Sequence, residues 1–270
     1  MSNPIKIGVL GADGRMGQAI ISAISNRPKA MLCAAITAPN SPNLGEDAAK
    51  VAGMDAQGVM LTADVKAALE TCDVLIDFSH PQAAIDTALA MHGTYCQTFV
   101  TGTTGYSNAE EKALMEAGNT ITLLKSGNFS LGVNLLEVLV EKAAAALGAD
   151  WDIEINESHH KHKVDAPSGT ALMLGEAAAK GRGHELSALR APMREGRTAA
   201  REKGQIGFSA LRGGDIIGEH DVHLIHELEQ ITLGHRAFDR SVFANGAVTA
   251  AIWAVAQPKG RYTMRDVLGL

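Results

Sequence analysis

Between residues 5 and 126, short apolar runs alternate with stretches of helical periodicity, and this rhythm limits the folds open to the chain. Strands are predicted over 5–10, 30–37, 73–79, 98–102 and 120–126. Helices are predicted over 16–25, 65–70, 81–91 and 108–117, the third opened by a proline in its first turn. Such a βαβα series predicts an α/β fold, a parallel sheet covered by helices on both faces. Ligands of such sheets bind at the carboxyl ends of the strands.

The rhythm changes after Phe129. A long helix is predicted over 133–147, ended by Gly148, then a strand over 151–158 and a helix over 168–180. Residues 181–205 are rich in Gly, Arg and Ala with weak periodicity and read as an irregular segment or a mobile flap. Strand-like runs follow one another at 206–212, 216–225 and 228–233, without helices between them. That pattern predicts a second, α+β domain with a mixed sheet. A helix over 241–256 closes the series.

The first predicted strand runs into "GADGRMG", with Gly11, Gly14 and Gly17 spaced G-x-x-G-x-x-G before a helix. Glycines there permit a tight turn and close approach of a pyrophosphate to open helix N–H groups. An ordinary glycine-rich turn has the same composition. The position at the head of a βαβ series favours dinucleotide binding. An acid is expected at the end of the second strand to hold the adenosine ribose, yet Thr37 and Ala38 stand there. Without that carboxylate, and with Arg15 in reach, the expectation leans to NADPH over NADH, with dual use open. Three more loops follow strands: Phe78-Ser79-His80, "TGTTG" at 101–105 and "KSGNFS" at 125–130.

The chain of 270 residues carries a formal charge of −6, which argues against a nucleic-acid partner. No apolar run approaches the roughly 20 residues that span a bilayer, and the first residues enter a strand with no leader pattern. A soluble cytoplasmic protein is expected. Cys33, Cys72 and Cys96 are far apart and lie in or beside apolar runs, so reduced, buried thiols are expected.

Against that acidic background, "ESHHKHKVDAPSGTA" at 157–171 gathers three histidines and two lysines into five positions. A metal reading is opposed by the interleaved Lys161 and Lys163, whose ammonium groups repel a divalent cation. A solvated basic loop does not account for Ser168, Gly169 and Thr170, which open a helix with an N-cap hydroxyl and uncrowded amides. Hydroxyl, amides, helix dipole, lysines and imidazoles together suit a small dicarboxylate. A histidine among them exchanges protons near neutral pH.

These residues resemble the 4-hydroxy-tetrahydrodipicolinate reductase (dihydrodipicolinate reductase) family. The resemblance extends over nearly the whole chain: "GADGRMG" (11–17), "DFS" and Pro81, "GTTG" (102–105), "NFSLGVN" (128–134), the 157–171 loop, "IGF" (206–208), "RGGDIIGEH" (212–220), "FANGA" (243–247) and "MRDVL" (264–268). The loop at 157–171 is its most specific part. The resemblance implies a Rossmann domain over 1–129 and 241–270, and a substrate-binding and homotetramer-forming domain over 130–240. It implies His159 as the acid–base residue and Lys163 as the proton donor to the substrate nitrogen. His160, Ser168, Gly169, Thr170 and Thr104 would contact the substrate carboxylates. Gly11, Ala12, Asp13, Gly14, Arg15, Met16, Thr37, Phe78, His80, Gly102, Thr103, Thr104, Ser126, Gly127, Asn128 and Phe129 would line the cofactor. It further implies NAD(P)H-dependent reduction with loss of the 4-hydroxyl as water, in lysine biosynthesis through diaminopimelate, and no metal.

Departures from the family pattern fall at Thr37 and Ala38, where an acid and an arginine are common, at His80, where some members carry arginine, and at Ala199, where a glycine is usual. The first two bear on cofactor preference and the third on the flap. Two other classes fit parts of the pattern. A metal-dependent hydrolase would use the histidines as ligands, and a nucleotide sensor would bind the cofactor without turnover.

Overall fold

The computed structural model describes residues 3–194, 196 and 199–270. Glu195, Arg197 and Thr198, in the expected flap, lie outside the described residues. The chain divides into two compact units, one formed by residues up to Ser130 and from Ser241 to Leu270, the other by Leu131–Arg240.

The first unit begins β1 (Ile5–Leu10), α1 (Arg15–Ser25), β2 (Ala30–Ile36), α2 (Ala48–Val51), β3 (Leu61–Thr62) and α3 (Val65–Leu69). It continues β4 (Val74–Asp77), α4 (Pro81–Ala90), β5 (Thr98–Thr101), α5 (Asn108–Ala117) and β6 (Thr122–Lys125). The second unit holds α6 (Leu131–Leu147), β7 (Asp152–His159), α7 (Gly169–Gly181), α8 (Leu186–Leu189), β8 (Ile206–Arg212), β9 (Glu219–Ile225) and β10 (Gln230–Arg236). The chain then returns to the first unit as α9 (Ser241–Ala254), β11 (Gly260–Tyr262) and α10 (Met264–Leu268).

All seven strands of the first unit pair in parallel, in the order β11-β6-β5-β4-β1-β2-β3. The central strands β4 and β5, and β1 from Ile7 onward, are buried on both faces, as the middle of an all-parallel sheet requires. The order reverses direction between β1 and β4, and that switch point is where an open α/β sheet binds its ligand. The second unit carries a mixed sheet, β10-β9-β7-β8, in which only β7 and β8 run parallel. Ile153, Ile155, Ile206, Val222 and Leu224 pack its core with Leu174 and Ala178 of α7.

The short edge strands β3 and β11 were not visible as patterns. Two or three residues carry no periodicity, and pairing with β2 and β6 decides them. β10 extends to Arg236, beyond the apolar run that ended at 233, because its ladder with β9 continues to Glu219.

The expectation of reduced thiols fails for two cysteines. Cys33 and Cys72 form a disulfide with Cα atoms 6.2 Å apart, and Cys96 alone is free. Ile7 pairs with Leu32 but Gly8 with Ala34, so Cys33 is the extra residue of a bulge. Gly8 of β1 lies against the link, and a Cβ there would sit 2.8 Å from Cys72 Sγ. The bulge and the missing side chain bring together two residues from opposite sides of β1, which sequence spacing does not reveal.

Gly246 of α9 packs directly on the loop after β6: an added Cβ would stand 1.8 Å from the Phe129 carbonyl oxygen. Gly246→Ala is therefore expected to lower stability by at least the ~1–3 kcal/mol typical of overpacking. Urea unfolding measures it, with Gly127→Ala, whose Cβ meets nothing within 4 Å, as the control. Equal stability of the two variants would refute this account of the α9 contact.

Candidate active site

The glycine turn closes over the switch point. Gly11 takes φ +78°, and a Cβ on it would lie 2.8 Å from the Phe78 carbonyl oxygen. Gly17 admits a tighter approach still, with its Cβ position 2.2 Å from the Gly11 oxygen. Gly14 is the N-cap of α1 and offers no side-chain cap, so the first amides of that helix stay open to a ligand. Arg15 and Met16 begin the helix beside it.

The neighbouring loops are tied together by Asp77, which is fully buried. Its Oδ1 accepts the backbone N–H and hydroxyl of Ser79 at 2.9 and 2.5 Å. Its Oδ2 accepts the hydroxyls of Thr101 and Thr103 at 2.6 and 2.8 Å. Burial pushes this carboxyl up, against the pull of those hydrogen bonds. Gly102 lies beneath Phe78, where a Cβ would meet the ring at 2.3 Å, and the Phe78 ring packs tilted against Phe129 with centroids 5.5 Å apart. Ser126 Oγ donates to the Asn128 carbonyl at 2.7 Å and shapes the turn that carries Gly127. His80 caps α4, its Nδ1 accepting the Ala83 N–H at 3.4 Å. Thr104 follows Thr103 on this same unit, exposed. The cofactor residues expected after β1, β4, β5 and β6 thus stand at carboxyl ends of adjacent parallel strands, and Thr37 stands at the end of β2. The open helix amides and the glycine positions fit a dinucleotide.

In the second unit the sheet register assembles a different set. Glu157 and His159 lie two apart on β7 and share a face. His220 of β9 is the cross-strand partner of Glu157, and Arg212 of β8 that of His159. Glu157, whose side chain is fully buried, accepts two Arg212 N–H groups at 2.7 Å each and the Ser168 N–H at 3.1 Å. His159 Nδ1 stands 2.6 Å from Glu157 Oε2. Burial opposes the charge on Glu157, but the Arg212 and His159 hydrogen bonds hold its carboxyl below the usual value. An ionised Glu157 can only accept, so Nδ1 of His159 carries a hydrogen and Nε2 is left for chemistry. Gly218 leaves room at Nε2, where a Cβ would come to 3.1 Å.

Ser168 caps α7, its hydroxyl accepting the Ala171 N–H at 3.2 Å and meeting His220 Nε2 at 3.1 Å. Gly169 has open space where a Cβ would be, and Thr170 follows in the first turn. Lys163 Nζ binds Asp165 at 2.8 Å. His160 is half-buried, and burial, then the charge of Arg240, lowers its pKa. His159, Lys163 and the head of α7 are therefore all held on one end of this unit. Glu157, Arg212 and His220 were not singled out as site residues from sequence. The i, i+2 spacing of Glu157 and His159 was the available signal, and the pairing of Arg212 and His220 needs the sheet register.

A parallel dinucleotide-type sheet in one unit and a cluster of imidazoles, lysine and guanidinium in the other fit a pyridine-nucleotide-dependent oxidoreductase. Two family models match the chain: "Dihydrodipicolinate reductase, N-terminus" over residues 5–129 and "Dihydrodipicolinate reductase, C-terminus" over 132–268. The chain belongs to the dihydrodipicolinate reductase family. A 4-hydroxy-tetrahydrodipicolinate reductase from Allorhizobium ampelinum is 51% identical over 268 residues, 98% of each chain. One from Agrobacterium fabrum is 50% identical over 271 residues, covering 100% of this chain and 98% of the relative. In fold, the chain matches a dipicolinate-bound dihydrodipicolinate reductase from Paenisporosarcina sp. TG-14 with a TM-score of 0.77 at 22% identity, covering 96% of this chain and 97% of the other. An amine dehydrogenase from Mycobacterium smegmatis matches at 0.62 and 12% identity, over 98% and 95% of the two chains.

His220 generates a pH prediction. Burial, then the neighbouring charge of His159, pushes its imidazole down from 6.5 to about 4, so it is neutral when folded. Between those values the unfolded chain binds more protons than the folded one. This contribution is complete above pH 6.5 and is lost as pH falls toward 4, at up to about 1.4 kcal/mol per pH unit. Chemical denaturation at pH 7 and pH 5 should show a shallower loss in His220→Gln than in the wild type. Equal losses would mean that His220 titrates normally.

Proposed function

We propose that this protein catalyses the NAD(P)H-dependent reduction of 4-hydroxy-tetrahydrodipicolinate to tetrahydrodipicolinate, with loss of water, in lysine biosynthesis via diaminopimelate. The observation that carries the reading is the buried Glu157–Arg212 pair, which orients His159 beside the Ser168-capped N-terminus of α7 and Lys163. The bound nucleotide supplies the hydride. The amides of Gly169 and Thr170, the Ser168 hydroxyl and His160 bind the substrate carboxylates. Lys163 delivers a proton to the ring nitrogen, and His159 exchanges a proton through Nε2. The cationic groups stabilise the negative charge that builds on the ring more in the transition state than in the ground state. Glu157 and Arg212 are positioning residues and touch no substrate in this scheme.

The metal-hydrolase alternative loses support because Glu157 and His159 Nδ1 are already committed to each other, and Glu157 to Arg212. Among the described residues, no group of three His, Cys, Asp or Glu side chains is arranged to hold a metal ion. No helix among them is long and apolar enough to cross a membrane. The proposal includes a cytoplasmic homotetramer built on the second unit's sheet. Its face turned from α7 carries Glu154, Asn156, Ser209 and Asp221 at half-exposed or exposed positions. Analytical ultracentrifugation is expected to give four times the chain mass of 28.3 kDa, and a monomer at micromolar concentration would remove that part.

Lys163→Ala should lower kcat by about 10²–10⁴-fold, the usual span of general acid catalysis. Nucleotide affinity should change by less than about threefold, since the lysine lies on the second unit. Stopped-flow oxidation of the nucleotide with the coupled synthase product measures the first, and fluorescence titration the second. Near-normal turnover would remove Lys163 from its role.

A further inference from the structure

The end of β2 lacks the acid that ordinarily holds an adenosine ribose, since Thr37 and Ala38 stand there. The structure brings a carboxylate to the same place from another element. Gly11 and Ala12 both donate their backbone N–H to the Ile36 carbonyl at 2.9 Å, so the glycine turn is fastened to the last residue of β2. Asp13 comes next in the turn and reaches the loop that follows β2. Its Oδ2 accepts the Ser41 hydroxyl at 2.5 Å, and Ser41 Oγ in turn accepts the Asn43 N–H at 3.1 Å. From the other side, Gln18 of α1 donates to the Asp13 carbonyl at 2.8 Å. The carboxylate is thus held in one position, half-exposed. Burial works against its charge, but Ser41 and its neighbours keep the carboxyl below the usual value and ionised at neutral pH.

A second observation concerns the neighbouring threonine. Thr37 is 5% exposed, and its hydroxyl has no hydrogen-bond partner among the described residues. It stands near enough to favour the Asp13 anion, but without hydrogen-bond geometry. A buried hydroxyl left unpaired is costly, and a ligand hydroxyl removes that cost. A fixed anion beside an unsatisfied hydroxyl at the carboxyl end of β2 suits a sugar diol. It does not suit a phosphate, which brings a second negative charge and no hydrogen to donate.

We propose that Asp13 reads the adenosine 2′ position, accepting a hydrogen bond from the ribose hydroxyl and repelling a 2′-phosphate, so that this chain prefers NADH. The inference rests on the nucleotide-dependent reading and reverses the NADPH preference expected from the empty acid position. Arg15 is the opposing cation. It is exposed and makes no ion pair among the described residues. Its attraction for a phosphate is screened by solvent and requires ordering a long side chain, whereas Asp13 is already in place.

The test is equilibrium titration of the full chain with NADH and with NADPH, followed by nucleotide fluorescence. ADP-ribose and its 2′-phosphorylated form serve as competitors without a nicotinamide. The wild type is expected to bind NADH at least fivefold more tightly than NADPH. Asp13→Asn, which keeps the shape and removes the charge, should move that ratio at least fivefold toward NADPH. A wild-type preference for NADPH, or a smaller shift in the variant, overturns the proposal. If the variant does not fold, as judged by thermal melting, the wild-type ratio at low and high NaCl decides. Repulsion requires the penalty on NADPH to shrink with salt, and a constant ratio refutes it. Binding of NADH without turnover of the synthase product would instead remove the reductase reading and leave this one intact.

Discussion

The second unit depends on one buried carboxylate. Glu157 has no solvent and three sets of donors: the Arg212 fork, the Ser168 amide and the His159 ring. Burial alone would favour the neutral acid, and the paired guanidinium reverses that balance. Because the charge is retained, three elements are joined at one point: β7, β8 and the head of α7. Removing either partner of such a pair leaves an uncompensated charge in the interior, which is far more damaging than losing a surface pair. The same interaction selects the His159 tautomer, so the stability of this unit and the state of that imidazole share a single cause.

The first unit solves a different problem, the close approach of backbone to backbone around a ligand crevice. Its glycines are functional through what they lack. Gly17 lets α1 come down onto the turn, Gly102 accommodates the Phe78 ring, and Gly11 lets the turn meet the loop after β4. Asp77 then fixes the hydroxyl-bearing loops after β4 and β5 through hydrogen bonds, with no charge partner among the described residues.

Much of this was legible from the amino acids. α5 and β8 occupy the spans their patterns indicate, the helix because Ser107 and Glu110 form a capping box at its start. The cap of α7 was readable from Ser168 and Gly169 for the same local reason. What stayed hidden depends on which strands become neighbours. β3 and β11 exist only as partners of β2 and β6, and the Cys33–Cys72 link needs a bulge in β2. His220 and Arg212 join the site through register with β7, which no linear spacing encodes. Asp13 was legible as part of the glycine turn, but its reach to Ser41 was not.

The chain leaves the nucleotide unit after β6 and comes back to it at α9. The returning segment is not an appendage. α9 packs on α1 and on β4 and β5, and β11 adds the outermost strand beside β6. A ribosome therefore releases every residue of the inserted unit before the surrounding one can close. During synthesis the inner unit is free to fold first, while the outer sheet waits with one helical flank bare until residues 241–270 emerge. Premature termination anywhere in that tail would spare the inner unit and expose the apolar underside of the outer one to aggregation and proteases.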